Sequence, residues 1–315
     1  MKHIFVINPA AGQVDSTNEI KSYLEQNHAE LDYEIYVTTD IGDATRFVSD
    51  YCRQHDGEAV RFYACGGDGT LCEVVSGAAE RENVQVAVYP VGSGNDFVKY
   101  YGGKQRFMDL GALIDAPAEA IDLIKVGDRY SINVCNFGFD TTVAKTMIKV
   151  KRNKIFGGKR AYVTGVATAV LTARFNKCIV TADGEQLNDK KILLCTLANG
   201  KYVGGAFQCA PRSVNNDGLI DVCLIKTMSL FGFIKLLGPY TDGKHLDLPA
   251  YQQKIVYRRA KHIHVSAPEG FAVSVDGEIV EGTEFDIEIC PGALNFVIPP
   301  LMAEVKNEEK ESAVC

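Results

Sequence analysis

Near-continuous apolar runs and helix-spaced apolar residues take turns over the first 124 positions of the chain. HIFVIN (3–8), YEIYVTT (33–39), AVRFYAC (59–65) and VQVAVYP (84–90) are strand candidates. The first, third and fourth lack the polar alternation of a half-exposed strand, so they are expected to be buried on both sheet faces. Between them Ile20 and Leu24 stand four apart in a predicted helix over 17–27, and Phe47, Val48 and Tyr51 mark another over 43–54 with Asp43 as its N-cap. Strand and helix alternating at this spacing predict an α/β domain over residues 1–124, with a parallel sheet and crossover helices.

From residue 125 the texture changes. DRYSINVCNFGF, KCIVTADGEQL, KKILLCTLANG, NNDGLIDVCLI, KHIHVSAP, FAVSVDGEIV and EFDIEICPG read as strand-bearing segments, several with Asp-Gly turns. They predict a C-terminal β-sandwich domain over 125–299. Helical patterns interrupt it at about 141–174 and 230–240, and the charged, unpatterned residues 300–315 read as a disordered tail.

A length of 315 residues fits two domains. The net charge of −7 excludes a globally basic nucleic-acid binder. The apolar run Ile4 to Ile7 is too short for a signal peptide, and the uncharged stretch Ala161 to Ala173 falls short of the roughly 18 residues a spanning helix needs. Neither export nor a transmembrane anchor is expected. Ten cysteines occur without a CxxC pair, mostly inside apolar runs, as buried thiols in a reducing cytoplasm would be.

Candidate chemistry lies in three turns that follow strands. The first is Asn8-Pro9-Ala10-Ala11-Gly12, for which a simple turn is the alternative. The second is Gly66-Gly67-Asp68-Gly69-Thr70, ahead of a helix expected over 70–81. Its glycines let backbone N–H groups approach an anion, and the helix N-terminus adds partial positive charge. Asp68 would repel a phosphate unless a cation stood between them, and a plain turn or N-cap is the alternative reading. The third is Val91-Gly92-Ser93-Gly94-Asn95-Asp96-Phe97. Ligands bind at the carboxyl ends of parallel strands, so the three turns should converge on one phosphate cradle. With Asp122 at the domain boundary, Asp68 and Asp96 offer the hard oxygens Mg²⁺ prefers.

INPAAG, GGDGTLCEVVSG, YPVGSGNDF, ANGKYVGGAF, PRSVNNDGLIDV and VSVDGE follow one another in the order seen in the diacylglycerol kinase catalytic-domain family. Nearly all of residues 1–299 resembles that family, and most of all its soluble bacterial lipid kinases, within the NAD kinase/diacylglycerol kinase-like superfamily. GGDGT alone is shared with NAD kinases, whereas GGDGT followed by GSGND is more specific to the lipid kinases. The resemblance implies an ATP- and Mg²⁺-dependent lipid kinase that phosphorylates a hydroxyl of diacylglycerol or a related lipid in phospholipid metabolism. It implies nucleotide contacts at Asn8, Pro9, Ala10, Ala11, Gly12 and Thr39, at Gly66, Gly67, Asp68, Gly69, Thr70, Leu71 and Glu73, and at Ser93, Gly94 and Asn95. Asp68, Asp96 and Asp122 match acids around a catalytic Mg²⁺, and Glu278 matches the general base, although an exposed glutamate after an Asp276-Gly277 hairpin is an alternative. A second, structural metal is implied at Val214, Asp217 and Leu219. There Asn216 replaces a frequent aspartate, and a metal-free Asn-Asp-Gly turn is the alternative.

Between Asp140 and Asp183 no acid occurs, while Lys145, Lys149, Lys151, Arg152, Lys154, Lys159, Arg160, Arg174 and Lys177 are basic. An anionic membrane surface attracts such a segment; a solvated helix face or phosphate contacts are the alternatives. Residues 230–237 could dip into lipid or pack on the sandwich. The expected partner is therefore a lipid substrate at a membrane surface, with peripheral association from the cytoplasm, no nucleic acid, and a homodimer left open. An NAD-kinase-like or other small-molecule kinase and a non-catalytic nucleotide-binding regulator are the competing readings.

Overall fold

The computed structural model describes residues 1–139, 141 and 176–301. The basic segment apart from Lys177, the helical interruption at 141–174 apart from Thr141, and tail residues 302–315 lie outside the described residues. The chain divides into two compact units, Met1–Ile121 together with the stretch from Gly292 onward, and Asp122–Pro291.

The first unit runs β1 (Lys2–Ile7), α1 (Thr17–Asn27), β2 (Tyr33–Val37), α2 (Asp43–Gln54), β3 (Val60–Gly66), α3 (Asp68–Ala78), β4 (Val84–Pro90), α4 (Leu110–Asp115) and the start of β5 (Ala118–Val126). Strands β2, β1, β3 and β4 lie side by side and parallel, with Phe5 opposite Ile35 on one flank and Tyr63 on the other. All seven residues of β3 are buried, as expected of a strand flanked on both sides. The helices bury Ile20 and Leu24 from α1 and Ala44, Val48 and Cys52 from α2. Helices α2 and α3 approach so closely that a Cβ on Gly77 would stand 2.7 Å from Val48 Cβ.

Two helix starts differ from the sequence expectation. Gly42, at φ +82°, is the N-cap of α2, so Asp43 is its first helical residue. Helix α3 begins at Asp68, not Thr70, because Gly67 caps it in an extended conformation and its carbonyl accepts from Leu71 N–H at 3.1 Å. Asp68 and Gly69 thereby enter the first helical turn, where N–H groups have no intrahelical acceptor.

The second unit contains β6 (Arg129–Ser131), β7 (Val134–Gly138), β8 (Asn176–Lys177), β9 (Ile179–Ala182), β10 (Glu185–Gln186), β11 (Lys191–Ala198), β12 (Ile220–Lys226), α5 (Leu230–Thr241), β13 (Ile255–Ala260), β14 (His262–Ser266), β15 (Ala272–Val275), β16 (Glu278–Glu281) and β17 (Glu284–Val297). One antiparallel layer has the order β13, β12, β11, β7, β15, β16; the other has β10, β9, β14, β17. Strand β12 shows how the layers are assembled. Ile220, Val222 and Leu224 join the core formed with Val180, Ile263, Val265 and Ile287, while Cys223 and Ile225 face Phe233, Leu236 and Tyr240 of α5. This is the expected sandwich, with a helix on one outer face.

Strand β13 was not among the predicted strands, because two adjacent arginines break the apolar pattern of IVYRRA; it is tolerated as the exposed edge beside β12. The sequence placed the domain limits at 124 and 299, whereas the compact units change at Ile121 and return at Gly292. The return has a physical cause: the last residues of β17 pair in parallel with β4, Asn295 opposite Gln85 and Phe296 opposite Val86. Eight of the nine described cysteines are buried and Cys290 is half-buried. Among the described residues no helix is long and apolar enough to cross a membrane.

Candidate functional site

Parallel strands β1, β3 and β4 end at Ile7, Gly66 and Pro90, and each runs into one of the glycine-bearing turns. The turns pack backbone to backbone. A Cβ on Gly12, at φ +81°, would stand 2.7 Å from the Val91 carbonyl oxygen, and one on Gly92 would stand 2.4 Å from Gly67 Cα. The Gly92 N–H donates to the Gly66 carbonyl at 3.1 Å. Side chains tie the same turns together. Asn8 Nδ2 donates to Thr70 Oγ1 at 3.1 Å while its Oδ1 accepts from Ala10 N–H at 3.0 Å. Asn95, in the left-handed region at φ +47°, donates to the Pro90 and Gly92 carbonyls at 3.3 and 2.6 Å. The result is a rigid backbone cradle at the N-terminus of α3, where unpaired N–H groups and the helix dipole favour an anion.

Two acids lie in this cradle. Asp68 Oδ1 accepts from Asp96 N–H at 2.6 Å. A Cβ on Gly94 would stand 2.7 Å from Asp68 Oδ2 and 3.9 Å from Asp96 Oδ2, so both carboxylates face one small region that only a glycine leaves clear. Burial, and then the Asp96 charge, raise the Asp68 carboxyl above its usual range. Lys99 Nζ, 2.5 Å from Asp96 Oδ1, balances part of the charge. Two converging hard-oxygen donors under mutual repulsion suit a Mg²⁺ ion that also carries phosphate oxygens.

Other predicted site residues also hold neighbouring parts of the unit. Glu73 reaches from α3 to the start of α2, where its carboxylate accepts from the N–H groups of Gly42 and Ala44 at 2.9 and 3.2 Å. It acts as a cap for α2. Thr39 donates through its N–H and hydroxyl to Asp43 Oδ2 at 2.8 and 3.1 Å, and the N–H bond is the main reason the Asp43 carboxyl lies below its usual range. Leu71 is a core side chain, 2% exposed, so its contribution to a ligand is limited to backbone. Ser93 and Ala10 are exposed, and Pro9 and Ala11 are half-buried, on the turns themselves.

In the second unit Asp122 is 2% exposed and closes the Asn215–Leu219 turn. Its Oδ2 accepts from Gly218 N–H and its own N–H donates to the Asn215 carbonyl, both at 2.7 Å. Asp122 therefore clamps this turn. No group of three or more His, Cys, Asp or Glu that could hold a metal occurs among the described residues. Asp217 accepts from Leu219 N–H at 3.1 Å and forms an ion pair with Arg259. At the turn where the sequence suggests a metal on Val214, Asp217 and Leu219, a guanidinium stands beside the one carboxylate.

Glu278 is 41% exposed at its side chain and forms an ion pair with Arg129, so it is not buried among other carboxylates. The hairpin beneath it is held by Asp276, a residue the sequence reading passed over as a turn former. Asp276, at φ +45°, accepts from Ser131 Oγ, Ile132 N–H and Val134 N–H, each at 2.8 Å, and from Asn133 N–H at 3.2 Å. Burial outweighs these bonds and raises its carboxyl from 3.8 to about 6. A raised native pKa means that stability from this group is complete below the unfolded value and lost as pH rises through the native one, about 3 kcal/mol over the interval. Asp276→Asn is expected to flatten thermal stability between about pH 4 and pH 7. A slope equal to that of the parent protein in differential scanning calorimetry would place the titration at another group.

Comparison with known proteins agrees with this layout. Residues 2–126 match the family described as diacylglycerol kinase catalytic domain, and residues 133–298 match that described as YegS C-terminal NAD kinase beta sandwich-like domain. The chain is 30% identical over 293 residues to a Pseudomonas aeruginosa protein named "Probable lipid kinase YegS-like", covering 90% of this chain and 91% of the relative. It is 29% identical over 279 residues to the diacylglycerol kinase of Bacillus subtilis, covering 87% and 88%. A crystal structure of a diacylglycerol kinase from Bacillus anthracis shares the fold, with a TM-score of 0.70 at 22% identity over 95% of this chain and 97% of the other.

Proposed function

This chain belongs to the diacylglycerol kinase catalytic-domain family, and on that premise we propose that it transfers the γ-phosphate of ATP, with Mg²⁺, to a hydroxyl of diacylglycerol or a related lipid. The observation that carries this reading is the convergence of Asp68 and Asp96 inside a backbone cradle at the start of α3. Phosphoryl transfer depends on positioning and charge stabilisation more than on covalent chemistry, and the cradle provides both. The N–H groups of the three turns would hold the phosphate chain, and the Asp68 and Asp96 carboxylates would hold the cation. A cation held there would supply charge neutralisation for phosphoryl transfer. Glu278 accepts the proton of the lipid hydroxyl at a carboxylate oxygen, oriented by its ion pair with Arg129. The two competing kinase readings differ in acceptor: a lipid kinase meets its substrate at a membrane, which makes this chain a peripheral membrane enzyme of phospholipid metabolism.

The test is labelled ATP with diacylglycerol in mixed micelles and, in parallel, with NAD. Labelled phosphatidic acid is expected on thin-layer chromatography; labelled NADP without a lipid product would overturn the reading. Glu278→Gln is expected to lower kcat by about 10²- to 10³-fold with little change in KM for ATP. Full activity in that variant would remove Glu278 as the base.

A further inference from the structure

Helix α5 packs one face on the sandwich through Phe233, Leu236 and Tyr240, yet its opposite face is also apolar. Phe231 is 67% exposed, Ile234 56% and Leu237 37%, three of the nine large exposed hydrophobic residues described. Phe231, Ile234, Lys235 and Gly238 follow the i, i+3, i+4, i+7 spacing of a single helix face. On a helix that merely covers a sheet this face is polar. No acid occurs between Asp221 and Asp242, while Lys226 and Lys235 do, and Lys235 Nζ lies 4.4 Å from the Phe231 ring centre.

We propose that the outer face of α5 is a membrane-docking surface that inserts Phe231 and Ile234 into an anionic bilayer, with Leu237 at its edge. The aliphatic stem of Lys235 lies along the apolar face while its ammonium stays at the lipid phosphates. The size of the patch favours lipid over a second copy of the chain. The three side chains expose on the order of 300 Å², far below the ~800 Å² per partner of a stable protein interface. A bilayer needs no shape-matched partner, and a shallow apolar wedge with basic neighbours and no acid is the chemistry that binds its interface. The surface deepens the lipid-kinase reading and rests on it for its purpose, since a lipid acceptor must be reached where it resides.

The full chain is mixed with sucrose-loaded vesicles of phosphatidylglycerol or of phosphatidylcholine and sedimented. Binding to the phosphatidylglycerol vesicles is expected, falling about tenfold or more in Phe231→Gln/Ile234→Gln. Turnover of monodisperse dihexanoylglycerol and the melting temperature should match the parent protein. The chain contains no tryptophan, so Phe231→Trp provides a single tryptophan that can be excited apart from the tyrosines, its emission expected to shift to the blue and to be quenched by brominated acyl chains. Unchanged sedimentation of the double variant, an unquenched Trp at 231 on bound vesicles, absence of parent binding, or a dimer broken by the double variant would each overturn the proposal. Loss of the lipid-kinase reading shows separately, as absent dihexanoylglycerol turnover in a protein that still binds vesicles.

Discussion

Asp68→Asn is expected to lower phosphoryl transfer by about 10³-fold while raising thermal stability. The amide keeps an oxygen that can accept the 2.6 Å bond from Asp96 N–H, so the third turn stays in register. What disappears is the negative charge. The Asp68 carboxyl is raised by burial and by the adjacent Asp96, so ionised Asp68 is disfavoured in the folded protein and a neutral isostere relieves it. The same charge is what a cation between the acids and the phosphate chain needs. Activity and stability should therefore move in opposite directions, read from initial rates and thermal melts of one preparation. A variant that keeps parental kcat would remove Asp68 from the cation site, and one that loses stability would assign it a structural role.

The second large effect concerns two glycines of the same turn. A Cβ on Gly66 would stand 2.2 Å from Thr70 Oγ1, so Gly66→Ala should destabilise the fold by about 1–3 kcal/mol. A Cβ on Gly69 would meet nothing within 4 Å beyond its chain neighbours and its own helix backbone, and Gly69 lies in the first turn of α3. On protein grounds alone, alanine is the better residue there by up to about 1 kcal/mol. Gly69→Ala is accordingly expected to melt no lower than the parent, yet to bind ATP about tenfold or more weakly, because its methyl group occupies space kept for phosphate oxygens. Calorimetric titration with a non-hydrolysable ATP analogue measures this, and parental affinity would show that the phosphate chain does not approach Gly69.

Much of this architecture was legible from local pattern. The unbroken apolar runs of β1, β3 and β4 and the four-residue spacing of Ile20 and Leu24 depend on neighbours in sequence, and the observed α1 and α2 cover the predicted residues. The order of the elements also led to the convergence of the three turns, since parallel strands joined by crossover helices end on the same edge. Strand β13 was missed because its exposed Arg258 and Arg259 obscure a strand that only its pairing with β12 stabilises.

The side-chain partners were a different matter. Glu73, Thr39, Asp122 and Asp217 stood at motif positions, and from sequence each was equally suited to a ligand. In the folded chain Glu73 caps Gly42 and Ala44, Thr39 holds Asp43, Asp122 closes the turn at Gly218 some 96 residues away, and Asp217 meets Arg259. Asp276, read as half of a hairpin turn, proved to anchor residues Ser131 to Val134. The sequence by itself determined the elements, the glycine turns and the acids available to them, because backbone conformation and periodic burial are set by nearby residues. Only the tertiary structure decided which acids face each other across Gly94 and which are hydrogen-bonded to distant backbone. A carboxylate has little energetic preference for either until folding removes its water and brings a particular N–H or cation within reach.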